Sequence, residues 1–136
     1  LSYLIDTNVL SELVRPQPSS AVVAWFEDVG DEALHISVLT LGEIRKGVEL
    51  LHDETRREKL RLWLEHDLPD WFGVRVLDVN RAVADRWGRL VAEADRPVAA
   101  IDSLLAATAL HHELRLVTRN TRDFDFPGLE VINPWG

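Results

Sequence analysis

Cysteine is absent from this 136-residue chain, and so is methionine. Without cysteine there is no disulfide, no thiolate metal site and no cysteine nucleophile. Methionine is missing even at position 1, so Leu1 reads either as the literal translation of a non-ATG start codon or as a trimmed end, and the complete-looking first strand favours the former. Lysine is confined to Lys46 and Lys59; arginine supplies the rest of the basic charge. No run of about 18 apolar residues occurs, which excludes a membrane-spanning helix. The first residues lack the basic-then-apolar pattern of a secretory signal. Together these absences fit a cytoplasmic location. An excess of basic charge is missing too: the net charge is −8. That argues against a general nucleic-acid coat protein, whose binding is driven by basic side chains. It suits a partner with basic side chains, or a site filled with metal cations.

What is present reads as one globular domain over residues 1–136, with 46% hydrophobic and 28% charged residues and no repeat or linker. Short apolar runs at Tyr3–Asp6, Leu34–Ser37, Val74–Leu77, Arg115–Thr118 and Leu129–Ile132 read as strands. Between them lie helical patterns. Asn8–Val14 is stopped by Pro16 and Pro18, and a helix capped at Ser19 or Ser20 runs to Asp28. Val38–Leu51 carries a stripe of Leu41, Ile44, Val48 and Leu51. Glu54–Leu68 puts Leu60, Trp63, Leu64 and Asp67 on one face and is closed by Pro69. Val79–Ala94 is amphipathic, and Ile101–Glu113 is rich in alanine. Strands alternating with helices predict βαβ units and a parallel sheet covered on both faces. Right-handed crossovers then bring several strand ends to one rim.

Three acids fall at that rim. Asp6 ends the first strand, Glu43 lies near the start of the helix after the second, and Asp102 opens the alanine-rich helix. The polar run Thr118-Arg119-Asn120-Thr121-Arg122-Asp123 follows another strand. Each acid alone has an ordinary explanation as a helix cap, a dipole partner or a solvated glutamate. Converging, they would repel one another and raise at least one pKa, unless a cation is present. Mg²⁺ or Mn²⁺ takes oxygen ligands and keeps waters, which suits this set. Carboxylates and water on such an ion suit phosphodiester hydrolysis. His35, His52, His66, His111 and His112 show no ligand spacing and are assigned to no site.

At these residues the chain resembles a family. Asp6-Thr7-Asn8, Leu41-Gly42-Glu43-Ile44-Arg45-Lys46-Gly47, Ile101-Asp102-Ser103-Leu104-Leu105-Ala106-Ala107-Thr108-Ala109 and Thr118-Arg119-Asn120-Thr121-Arg122-Asp123-Phe124 occur in the order seen in PIN-domain ribonucleases. The likeness is strongest to the VapC-type toxins of bacterial toxin–antitoxin pairs and their FitB-like subgroup, which the ending Val131-Ile132-Asn133-Pro134-Trp135 also resembles. The resemblance implies a three-layer α/β/α sandwich around a mostly parallel sheet. It implies Mg²⁺- or Mn²⁺-dependent endoribonuclease activity on RNA. It also implies a homodimer and a cognate VapB-like antitoxin, with operator DNA bound only through that antitoxin. By the family pattern Asp6, Glu43 and Asp102 match the acidic metal-binding core, and Thr7 and Asn8 the residues that orient it. Many FitB-like relatives carry Asp where this chain has Asn120. Asp123 matches an acid seen in the wider family, so the fourth place lies between these two, with Asp123 favoured.

Arg45, Lys46, Arg119 and Arg122 flank the acids and are candidate RNA contacts; the ordinary alternative is a set of surface ion pairs. Two other functions remain open. One is a phosphatase of the haloacid-dehalogenase-like type using Asp6 as a covalent nucleophile, although Asn8 stands where that group expects a second Asp. The other is a weakly catalytic or non-catalytic protein that acts by binding an antitoxin and DNA.

Overall fold

The computed structural model describes residues 1–136. Five strands, β1 (Tyr3–Ile5), β2 (Leu34–Ser37), β3 (Val76–Leu77), β4 (Arg115–Val117) and β5 (Val131–Ile132), form one sheet in the order β3-β2-β1-β4-β5. Every pair is parallel. The sheet is therefore wholly parallel, and all its carboxyl ends share one rim. The strand order reverses between β1 and β4, whose register pairs Ile5 with Val117. Such a switch point opens a crevice above the strand ends.

The pleat divides the core into two layers. Ile5, Leu34, Ile36 and Val117 face one way, towards α1 (Thr7–Glu12), α2 (Ser20–Val29), α3 (Val38–Leu50), α4 (Glu54–Leu62) and α5 (Leu68–Phe72). Leu4 and Leu116 face the other way, towards α6 (Arg81–Glu93), α7 (Ala100–His111) and the Phe124 and Phe126 rings. This is the expected three-layer sandwich. No helix is long and apolar enough to cross a membrane.

Helix starts follow their caps. Asp6, Ser19, Ser37, Asp53 and Asn80 each accept a hydrogen bond from the first turn of α1, α2, α3, α4 and α6 respectively. Asp6 and Asn80 thereby stand outside the strand and helix that apolar patterning alone assigns them. The third strand is shorter than its apolar run: Gly73 adopts a positive φ of 51° and Val74 is 96% exposed, so pairing begins only at Val76.

Pro69 does not close the helix begun at Glu54. A π turn over Trp63–Asp67 links α4 to α5, with the Leu68 N–H donating to the Trp63 carbonyl. Proline in a straight α-helix clashes with the carbonyl four residues earlier; the wider turn relieves that clash and carries the helix on to Phe72. The same turn places Leu68 in the core and leaves Asp67 exposed.

Small residues on α7 let it lie close on the sheet: Ala106, Ala107 and Ala109 are fully buried. The buried Ser103 and Thr108 hydroxyls donate to carbonyls of their own helix, at Ala99 and Leu104. α7 carries Asp102 in its first turn, so this close seat sets that carboxylate's height over the rim. Ala106→Leu is expected to cost about 1–3 kcal/mol by overpacking, measured by urea unfolding.

Candidate active site

The site starts from Asp6, a buried carboxylate at the switch point. Its main-chain N–H extends the sheet by donating to the Val117 carbonyl at 2.9 Å. Both side-chain oxygens are engaged. Oδ1 accepts from the Thr7 N–H at 2.8 Å, and Oδ2 accepts from the Thr118 hydroxyl at 2.7 Å and Asn8 Nδ2 at 3.3 Å. A carboxylate pinned at both oxygens is better placed as a fixed ligand than as a covalent nucleophile.

Thr7 and Asn8 carry the order outward. The Thr7 hydroxyl donates to Glu43 Oε1 at 2.6 Å, fixing the α3 acid beside the α1 amino terminus. Asn8 Nδ2 also reaches Thr118 Oγ1 at 3.4 Å, and its Oδ1 accepts from the Arg119 N–H at 3.1 Å. Thr118 Oγ1 in turn accepts from the Asn120 N–H at 3.1 Å. Asp6-Thr7-Asn8 is thus both a helix start and a clamp on the turn after β4.

The remaining acids lie within electrostatic reach. The Asp102 carboxyl is raised above its ordinary range, first by burial and then by the charges of Asp6, Asp123 and Glu43. The Asp6 carboxyl is raised by burial, then lowered by its bonds to Thr118 and Thr7, and raised again by Glu43 and Asp123; the net shift is upward. Asp6, Glu43, Asp102 and Asp123 therefore share one field. Asn120 lies at this rim through its backbone, and its amide adds no charge.

These donors are all oxygens, and their mutual repulsion is what a hard cation relieves. No three acidic or histidine side chains form a preformed ligand cluster. His111 and His112 pack against each other at the opposite end of α7.

The basic candidates divide. Arg45 is held by Glu65 at 2.8 Å, away from the acids. Arg96 donates to the Asp125 carbonyl and stacks on Phe126. Lys46 and Arg122 are exposed and in no ion pair, and Arg119 lies over Trp135. A groove of about 440 Å³ opens beside Asn8 and Arg119, floored by Ile44, Val48 and Leu60 and walled by Glu12, Arg15, Arg56 and Trp135. The buried Glu12 accepts from the Ser19 N–H at 2.9 Å and pairs with Arg15 at 3.4 Å. Sequence reading passed over Glu12; its only signal is the one-turn spacing from Asn8 that puts both on one face of α1.

A PIN domain model matches residues 3–127, and the chain belongs to the PIN-domain family. Within it, the chain is 37% identical to Toxin FitB of Neisseria gonorrhoeae over 97% of each sequence. It is 33% identical to the VapC ribonuclease Y4jK of Sinorhizobium fredii, over 97% of this chain and 96% of that one. Among solved structures, FitAcB of Neisseria gonorrhoeae superposes with a TM-score of 0.90 at 36% identity, covering 98% of both chains. A toxin–antitoxin complex from Klebsiella pneumoniae matches over 98% of both chains with a TM-score of 0.68 and 28% identity.

Because the Asp102 carboxyl is raised, between its ordinary and its raised value the folded chain holds a proton there that the unfolded chain has released. Stability without metal therefore falls as pH rises from the ordinary carboxylate range through the raised value. Asp102→Asn is expected to raise the melting temperature at neutral pH in a chelator, with the gain shrinking as the pH is lowered. Scanning calorimetry at several pH values measures it; a loss of stability at neutral pH would contradict the electrostatic account.

Proposed function

We propose that this protein is the toxin of a type II toxin–antitoxin system, a divalent-metal-dependent endoribonuclease confined to one PIN domain. The observation that carries this reading is the shared field of Asp6, Glu43, Asp102 and Asp123 at the switch-point rim. The names of its relatives, a toxin and a VapC ribonuclease, support it.

Asp6, Glu43 and Asp102 hold Mg²⁺ or Mn²⁺ in this reading, with Asp123 completing the acid set. A divalent ion there supplies Lewis-acid activation of water and neutralises charge on the phosphoryl oxygens. The chain's own residues do the positioning. Thr118, Asn8 and the Thr7 N–H fix both oxygens of Asp6, and the Thr7 hydroxyl fixes Glu43. Asn120 anchors the turn that carries Asp123 through its N–H to Thr118. Lys46, Arg119 and Arg122 have basic ends open to RNA phosphates, whereas Arg45 is committed to Glu65.

A cognate VapB-like antitoxin neutralises the site, and operator DNA is bound only through it, in keeping with the net charge of −8. The likeness to a toxin–antitoxin complex supports this partner. The groove beside Asn8 suits its inhibitory segment: it has an apolar floor and shares Asn8 and Arg119 with the rim of the site. The active form is a homodimer in this reading.

Loss of one metal-holding acid removes several kcal/mol of transition-state stabilisation, or about 10³-fold in rate. Asp6→Asn, Glu43→Gln and Asp102→Asn are each expected to lose RNA cleavage on that scale in Mn²⁺, and wild-type cleavage by all three would overturn the reading. Thr7→Val, which frees Glu43, is expected to weaken metal affinity about 10–100-fold, read by titration calorimetry. Gly47 lines the groove on α3, and a Cβ there meets no atom within 4 Å. Gly47→Gln is therefore expected to fold and cleave normally while escaping neutralisation by the co-expressed antitoxin; full neutralisation would remove the groove from the partner's path.

A further inference from the structure

Arg119 is held at both ends. Its N–H donates to Asn8 Oδ1 at 3.1 Å, and Asn8 in turn donates to Asp6 Oδ2. Its guanidinium lies over the Trp135 ring, 4.7 Å from the centroid. It makes no salt bridge, whereas Arg15, Arg45, Arg57, Arg61, Arg89 and Arg115 all do. An unrestrained arginine beside an acid cluster would fold onto those acids. The aromatic face offers a competing seat through cation–π attraction. A stacked guanidinium keeps its in-plane N–H groups free, the geometry that takes a phosphate on two donors.

Trp135 is itself fixed. Its N–H donates to Asn133 Oδ1 at 2.9 Å, Pro134 before it is buried, and its ring packs against the core layer that contains Val117. The ring is thus a rigid shelf at the mouth of the groove, next to Asn8.

We infer that Trp135 is a positioning residue that keeps Arg119 off the acid cluster and presents it to a phosphate beside the scissile bond. The inference rests on the RNA-cleaving reading and adds to it which arginine binds backbone and what holds it there. It separates Arg119 from the other basic residues of the rim. Trp135 acts only through Arg119, so the two substitutions share one effect.

The test is binding of a short mixed-sequence single-stranded RNA over a salt series, in a Glu43→Gln background that prevents cutting. Loss of one phosphate contact lowers the slope of log affinity against log salt by about 0.7 for a single strand. Arg119→Leu and Trp135→Leu are each expected to lower it by that amount, the double variant by no more, and Trp135→Phe to keep the wild-type slope. With Glu43 restored, Trp135→Leu raises KM for RNA more than it lowers kcat. An unchanged slope in Arg119→Leu, an exposed position that leaves the core intact, overturns the proposal even if Trp135→Leu fails to fold. So does a double variant whose losses add. Failure of the nuclease reading looks different: the wild-type chain leaves RNA uncut and unbound in Mn²⁺, and the present inference falls with it.

Discussion

The hydrogen bond from the Thr118 hydroxyl to Asp6, 2.7 Å long and buried, ties the ends of the two strands at which the sheet reverses direction. Everything at the rim is arranged around it. A carboxylate in that position is costly, because burial and neighbouring acids both favour its neutral form. The Thr118 hydroxyl and the Thr7 N–H work against that cost, and Asn8 braces them from the side. Hydrogen bonds hold Asp6 and Glu43 in place within this like-charge repulsion. A site of this kind is poised for a cation.

The frame depends on features remote from the chemistry. A wholly parallel sheet sends β1, β2 and β4 to the same edge, so acids from distant parts of the chain meet without any long loop. The alanines of α7 bring its first turn, with Asp102, down to the level of Asp6. On the other face the π turn at Trp63–Asp67 keeps the helical chain moving past Pro69, so that Leu68 and Phe72 fill the core beneath α3. α3 then presents Glu43 to Thr7.

An acidic chain that handles a polyanion must place its few uncommitted cations well. Arg45, Arg57, Arg61, Arg89 and Arg115 are spent on surface carboxylates. Arg119 stands beside Asn8 with its guanidinium over an aromatic ring and no carboxylate partner. The neighbouring groove shares Asn8 and Arg119 with the site. In the reading proposed above, one local geometry links substrate handling to neutralisation.

Strand and helix alternation, the parallel sheet and the grouping of Asp6, Glu43 and Asp102 were legible in the residues, because apolar period and the end-of-strand setting are local signals. The PIN motifs added Asp123, Thr7 and Asn8. Three things were not legible. Pro69 reads as a stop because proline forbids a straight helix, and only the packing of Leu68 shows that a π turn carries the chain through. Arg45 and Arg119 look alike along the chain, since each lies within two positions of a site residue. Glu65, twenty positions after Arg45, takes that arginine, while Trp135 near the carboxyl terminus takes the other. Glu12 reads as a surface acid until α1 and α2 close around it. The sequence by itself determined which residue types stand at each strand end, since that depends on neighbours a few positions away. Which charges remain free was decided by the tertiary structure alone, since an ion pair or a ring stack depends on groups that only folding brings together.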